Sequence, residues 1–290
     1  MNLFPLTNPS VWKNLWLNAL KNDPEKKSGT DHIQIQKWDQ RAQTFDKQTT
    51  TPEAVSRKEG ILSMLREAGA LQAGSRVLDI GAGSGNWAIP MAEMGAKVVA
   101  LEPSGGMVDI LKKKMSAKGI GPDQIRISQQ TWQDVDVEKE GLASQFDLVF
   151  ASMSPGVCDP GTLEKVMQAS RNFCYLSTFS GGGWRSCYND LWQHITGQAL
   201  ESTSWDFIYP FTYVYALGYR PQTDFKVWSH DRKETIDEAV ENIIFFIQGM
   251  TEVTPEIRQK LKDHITRQAV DGIFHQKQTV CQGVMLWQVA

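Results

Sequence analysis

The stretch Val77-Leu78-Asp79-Ile80-Gly81-Ala82-Gly83-Ser84-Gly85-Asn86-Trp87 runs from an apolar strand carrying one acid into three alternating glycines. A helix-like segment, Trp87 to Met94, follows at once. Strand, tight turn and helix in that order form the layout of a nucleotide-binding turn. Glycine suits the turn because the missing Cβ lets the backbone take φ above zero and come close to a ligand, with its N–H groups exposed. The spacing is G-x-G-x-G. A dinucleotide turn of the G-x-G-x-x-G kind, which seats a pyrophosphate on the helix N-terminus, would carry its third glycine at position 86, where this chain has Asn86. No P-loop lysine follows.

A second apolar strand, Lys97 to Leu101, ends in Glu102, seventeen residues past Gly85. A carboxylate at the end of a second parallel strand can accept both hydroxyls of a ribose. Taken in order, V-L-D-I-G-A-G-S-G, V-V-A-L-E-P-S and Phe146-Asp147-Leu148-Val149-Phe150 resemble the class I S-adenosylmethionine-dependent methyltransferase family, over residues 55 to 180. The resemblance implies S-adenosyl-L-methionine as cofactor, with Gly81, Gly83 and Gly85 around its methionine end and Glu102 on its ribose. It implies Met107 near the adenine, with Thr131 and Trp132 on the adenine's other side, and it puts Asp79, Ala82, Pro103 and Met153 in the same site.

Downstream, strand and helix patterns alternate, the signature of a parallel sheet with helices on both faces. Strands are expected at Val77–Ile80, Lys97–Leu101, Ile125–Gln129, Phe146–Ala151 and Phe173–Phe179, then near Phe225–Ser229 and Val280–Val289. The expected fold is therefore α/β, a Rossmann-like, doubly wound, mostly parallel seven-stranded sheet. Right-handed crossovers gather the strands' carboxyl ends at one crevice, which holds Asp79, Glu102, Trp132 and Ser152 to Pro155. The chain is expected to form a single domain, 1–290, of four parts: an N-terminal helical arm (1–70), a cofactor-binding core (71–180), an aromatic insertion after the fifth strand that caps the crevice (181–222), and C-terminal strands and helices (223–290).

In the arm, Pro9 to Leu20 sets Trp12, Leu15, Trp16, Ala19 and Leu20 on one helical face, and a helix begins at Thr51 with Pro52 first. Between them lies a polar segment, Asp31 to Lys47. In related methyltransferases such a segment, here around Trp38-Asp39-Gln40-Arg41-Ala42, folds over the cofactor; the alternative is a packing helix without ligand contact. The region from Phe173 to Trp228 holds over half of the chain's aromatics, including all six tyrosines. Tyr209, Phe211, Tyr213 and Tyr215 alternate like a strand, whereas Trp205, Tyr209 and Tyr213 recur at helical spacing, so periodicity leaves their geometry open. Two further helices are expected at Glu234–Gln248 and Pro255–Ala269. The first carries Ile236, Ala239, Val240, Ile243, Ile244 and Ile247 on one side, a face suited to packing or to a homodimer interface.

Lys plus Arg is 30 and Asp plus Glu is 33, a net charge of −3, which gives no long-range pull toward nucleic acid. Cys158, Cys174, Cys187 and Cys281 form no C-x-x-C pair, so neither a metal site nor a disulfide framework is expected. No basic leader or membrane-length apolar run appears, and a cytoplasmic location is the default. The expected function is methyl transfer to a small-molecule acceptor. A nicotinamide-dependent (NAD(P)) oxidoreductase and a non-catalytic S-adenosylmethionine-binding module are the alternatives. Methyl transfer needs a general base only for an acceptor that is protonated at working pH. His194, His230, His264, His275, Asp206 and Tyr188 are available, and no motif singles one out. Ser152 and Ser154, in the segment Ala151-Ser152-Met153-Ser154-Pro155-Gly156, can hydrogen-bond the cofactor's amino-acid end or the acceptor.

Overall fold

The computed structural model describes residues 7–22, 31–181, 189–197, 206–248 and 251–289. Seven strands, β1 (Arg76–Ile80), β2 (Lys97–Leu101), β3 (Ile125–Ser128), β4 (Phe146–Ser152), β5 (Ser170–Ser180), β6 (Gln222–Thr235) and β7 (Ile273–Gln288), form one sheet. Its order is β3-β2-β1-β4-β5-β7-β6. Strands β1 to β5 pair in parallel, and β7 enters antiparallel against both β5 and β6. The expected fold class is the observed one.

The apolar run Val77-Leu78-Asp79-Ile80 is buried on both faces, as a central parallel strand requires. One face carries α3 (Pro52–Glu67), α4 (Ala88–Glu93) and α5 (Gly105–Lys118), whose Ile61, Leu65, Ile89, Met91, Leu111 and Met115 close a core with Val77, Phe150, Tyr175 and Val284. The other face buries Trp16 of α1 (Pro9–Asn22), Leu163 and Val166 of α6 (Pro160–Ala169), and Tyr213 and Val214 of α8 (Ile208–Ala216) against Leu78, Ile80, Val149 and Met285.

The remaining helices are α2 (Asp31–Gln48), α7 (Asn189–Thr196), α9 (Ile236–Ile247) and α10 (Pro255–Gln268). A third core joins Leu191, Trp192 and Ile195 of α7 to Ala239, Val240, Ile243, Ile244 and Ile247 of α9 and to Leu261 and Ile265 of α10. The apolar face of α9, suited by its sequence to a homodimer interface, is thus covered within the chain.

Strands β6 and β7 are much longer than the sequence indicates. β7 meets β5 only from Cys281 to Gln288, while its pairing with β6 continues to Thr235 opposite Ile273. The extra length is a two-stranded ribbon running past the carboxyl end of β5. It carries α9 and α10 above that edge of the sheet.

Within the insertion, α8 is a helix with Pro210 in its first turn, which settles the ambiguous aromatic spacing. Two of its rings face α1 and α6 rather than the crevice: Tyr209 stacks on Trp16 at 6.5 Å, and the Tyr213 hydroxyl donates to Glu164, while Phe211 packs on Phe207 and Tyr215 is exposed. A cap of α8 aromatics over the crevice is therefore corrected to a wall of the second core. Trp184, Tyr188 and Trp205 lie outside the described residues.

Candidate cofactor and acceptor site

The turn after β1 is built by its glycines. Gly81, Gly83 and Gly85 have φ of 73°, 56° and 83°, a region that other residues enter at a cost. Two of them are also packed tight. A Cβ on Gly81 would stand 2.3 Å from Ser154 Oγ, and one on Gly85 would stand 2.4 Å from Leu111 Cδ1. Gly83 differs, since a Cβ there would meet only Phe45 Cε1 of α2, at 3.9 Å. The turn is held down by the Gly81 and Ala82 N–H groups, which donate to the Leu101 carbonyl at 2.8 and 3.1 Å.

Two carboxylates converge on this turn. Glu102 accepts from Gly83 N–H at 2.8 Å and from Ser104 N–H at 2.9 Å. Its carboxyl is raised by burial, partly offset by those two N–H groups, and the charge of Asp39 raises it further. Asp79 is 1 % exposed, and its Oδ2 has no hydrogen-bond partner. Burial first, then the charge of Glu102, push its carboxyl up to about 8, against the Ala88 N–H. A buried, half-satisfied carboxyl beside a second acid is unfavourable in isolation. It fits a ligand that brings positive charge and N–H donors.

The arm helix α2 closes over the same place. Asp39 Oδ1 accepts from Ser104 Oγ at 2.6 Å and from Gly106 N–H at 2.9 Å, a carboxylate on the first turn of α5, where helix dipole and free amides favour it. Asp46 accepts from Ser84 Oγ at 2.6 Å and pairs with Lys114, and Thr49 Oγ1 meets Asn86 Oδ1 at 3.1 Å. The arm therefore packs on the glycine turn and on α5. Nothing in the spacing of Asp39 or Asp46 signals these contacts.

Met107 is 2 % exposed on α5, its N–H donating to the N-cap Ser104 Oγ at 3.2 Å, and Pro103 is half-buried just before it. Thr131 Oγ1 donates to Asp134 Oδ2 at 2.6 Å in the loop after β3. Trp132 is different from expectation. Its ring is 1 % exposed within the second core and Nε1 donates to the Thr162 carbonyl at 3.0 Å, so the indole belongs to the packing under α6 rather than to an open adenine wall. Met153 sits at φ 53° immediately after β4, with its N–H on the Ser177 carbonyl at 2.9 Å. A non-glycine residue in that region marks a strained, over-determined position.

A buried polar floor lies beside Met153. Ser152 and Ser177 hydroxyls meet at 3.1 Å, and Gln282 Nε2 donates to Ser177 Oγ at 2.7 Å. The Tyr175 hydroxyl stands by both serines without a well-aligned bond, and its ring stacks on Phe150 at 4.4 Å. Of these groups only Ser152 stood out in the sequence. Tyr175, Ser177 and Gln282 join it only because β4, β5 and β7 are neighbours. Ser154 faces the turn instead, donating nothing to it but accepting from Gly156 N–H at 3.2 Å.

The described candidate bases are not brought to the turn. His194 Nε2 contacts Arg267 at 3.2 Å and its ring lies 4.9 Å from His264, both in the α7 and α10 packing, and His275 is on the ribbon. Asp206 accepts from Gly181 and Ile208 N–H groups and shapes a turn. Tyr188 and the His230 side chain lie outside the described residues. No cluster of three metal-ligating side chains occurs among the described residues, and no described helix is long and apolar enough to cross a membrane.

Fold and site resemble those of class I S-adenosylmethionine-dependent methyltransferases, and residues 77–174, from β1 into β5, match the family described as a methyltransferase domain. S-adenosyl-L-methionine is the cofactor of that class. Among curated proteins, an uncharacterized protein of Haemophilus influenzae is 30% identical over 143 residues, 49% of each chain. Protein-L-isoaspartate O-methyltransferase 1 of Rhodopseudomonas palustris is 39% identical over 66 residues, 23% of this chain and 27% of that one. The chain thus spans half or less of the length of the curated relatives it matches. The YcgJ protein of Bacillus subtilis shares the fold with a TM-score of 0.51 at 14% identity, covering 78% of this chain and 97% of that one. A candidate methyltransferase of Bacillus halodurans C-125 does so at 0.50 and 15%, covering 79% and 98%.

Proposed function

We propose that this protein transfers a methyl group from S-adenosylmethionine to a small-molecule acceptor. The observation that carries the reading is the pair of buried carboxylates at a glycine turn, one with an unpartnered oxygen. When bound, the cofactor supplies an electrophilic methyl on a sulfonium, next to an ammonium group, and both positive charges suit Asp79 and Glu102. A dinucleotide would use Glu102 on a ribose in the same way but would bring its anionic pyrophosphate to the turn beside buried Asp79, which opposes the oxidoreductase alternative.

In this reading Gly83, the turn glycine with room for a Cβ below Phe45, lets the backbone approach the methionine end, with Gly81, Ala82 and Gly85 shaping the turn. Asp79 takes the ammonium side. Glu102 has two of about four lone-pair sites occupied by N–H groups and keeps the rest for ribose hydroxyls. Pro103, Met107 and Thr131 flank the adenine, and Met153 aims the end of β4 at the reacting centre. Phe45 and the rest of α2 exclude water from above, so that the acceptor's nucleophilic atom is aligned and desolvated. The polar floor of Ser152, Tyr175, Ser177 and Gln282 orients the acceptor.

The test is calorimetric titration with S-adenosylhomocysteine, in parallel with NADH, on the protein and on Glu102→Ala. Micromolar binding of the first ligand, weakened at least tenfold in the variant, is expected. Preference for NADH, or no binding of S-adenosylhomocysteine, overturns the proposal.

A further inference from the structure

Arg57 of α3 lies with its guanidinium carbon 4.6 Å from the ring centroid of Trp228 on β6. Among the described residues it makes no hydrogen bond or ion pair; Glu53, one turn before it, acts on it only at longer range. Burial lowers its pKa, with Glu53 partly offsetting the effect, so the cation is partly withdrawn from water without a hydrogen-bonded anion among the described residues. A guanidinium stacked on an indole is held flat by the ring, while its in-plane N–H groups stay available to a third group.

The register fixes what surrounds this pair. Lys226 is opposite Gln282 and Trp228 is opposite Val280, so Trp228 and Gln282 point to the same face of the sheet. That face is the one covered by α3, since Val284 and Leu286, next in alternation after Gln282, pack with Ile61 and Leu65. Trp228 stands two positions beyond Lys226, about 7 Å further along the strand, past the point where β5 ends at Ser180 opposite Cys281. Arg57 and Trp228 therefore form a wall at the carboxyl edge, adjoining the floor where Gln282 holds Ser177 and Ser177 meets Ser152.

Resting on the methyltransferase reading above, we propose that the acceptor carries an anionic group, a carboxylate or a phosphate, and that Arg57 on its Trp228 platform binds it. A planar fork of N–H donors matches either oxyanion in bidentate fashion. The contact would hold the acceptor by its charged end and leave its nucleophilic atom over the Ser152–Ser177–Gln282 floor. Arg57 is then a specificity residue and has no part in the chemistry.

The experiment uses the full chain with S-adenosylhomocysteine present and three probes of one shape: benzoate, phenyl phosphate and the neutral benzamide, titrated by calorimetry or ligand-observed NMR. At least one anion should bind tenfold or more tighter than benzamide, and which of the two does so separates a carboxylate from a phosphate site. Arg57→Gln should erase that preference and Arg57→Lys should keep part of it, with S-adenosylhomocysteine affinity and thermal midpoint unchanged in both. Equal binding of benzamide, no binding of either anion, or a preference that survives in Arg57→Gln overturns the proposal. So does a matching loss of S-adenosylhomocysteine affinity, which would assign Arg57 to the cofactor's own carboxylate. If wild-type protein fails to bind S-adenosylhomocysteine yet prefers the anions, the cofactor reading falls and the anion site stands.

Discussion

Asp79 is a carboxyl withdrawn from water, and pH exposes it. With its carboxyl pushed up to about 8 in the fold and near 3.8 when unfolded, the unfolded chain holds fewer protons between those values. Its contribution to stability is therefore most favourable below pH 4 and is lost as pH rises toward 8. Asp79→Asn removes that dependence, so its thermal midpoint should exceed that of the parent by more at pH 8 than at pH 5. A constant difference would contradict the assignment. An ammonium placed beside Asp79 favours the ionised form, so S-adenosylhomocysteine, which keeps that group though not the sulfonium charge, should bind more tightly as pH rises from 6 to 8, by at most about tenfold per unit for one proton. The glycines allow a second comparison. Gly85→Ala drives a methyl into Leu111 and Ile89 and should lose about 2–3 kcal/mol in urea unfolding. Gly83→Ala has room and should lose only about 1 kcal/mol, the left-handed backbone penalty, while weakening cofactor binding more than its neighbour does per unit of stability lost.

At the scale of elements, the loop after β3 is tied to α6 by one side chain. Lys165 Nζ donates to the carbonyls of Trp132, Gln133 and Val135 at 2.9, 2.9 and 2.8 Å. Lys165→Met should cost about 2 kcal/mol, in the range of bonds to charged groups, and amide exchange should rise in 131–137 first; uniform exchange would show that the clamp is not local. The parallel half of the sheet was legible in the sequence because its strands are short apolar runs, each followed by a turn signal, and Glu102 and the glycines lie on those runs. The ribbon was not. Gln222 to Thr235 is rich in charged residues and pairs with a partner some fifty residues away, so neither composition nor local period marks its ends. Trp132 misled for a related reason: its position in the chain matched an adenine neighbour, but the side chain's direction depends on α6, which the local sequence does not specify. Likewise Asp39, Tyr175, Ser177 and Gln282 become a site only through pairings between distant elements.

Over the whole molecule, the arm is fastened by its acids. Asp39→Ala removes the acceptor for Ser104 Oγ and Gly106 N–H. Amides of 35–48 should then exchange at least tenfold faster, with β1, β2 and β4 unchanged, as expected when one low-stability unit opens alone. Unaltered arm exchange would show that Phe45 and Ala42 packing suffices without the carboxylate. The third core, formed by α7, α9 and α10, reaches the sheet chiefly through the ribbon that carries it. Two halves with separate interiors accept mutations on separate accounts. Apart from the contacts of Arg41 of the arm with Asn242 and Phe245 of α9, substitutions that reshape the third core are expected to spare the glycine turn and its acids, so descendants of this chain are free to drift toward new acceptors while inheriting the same methyl donor.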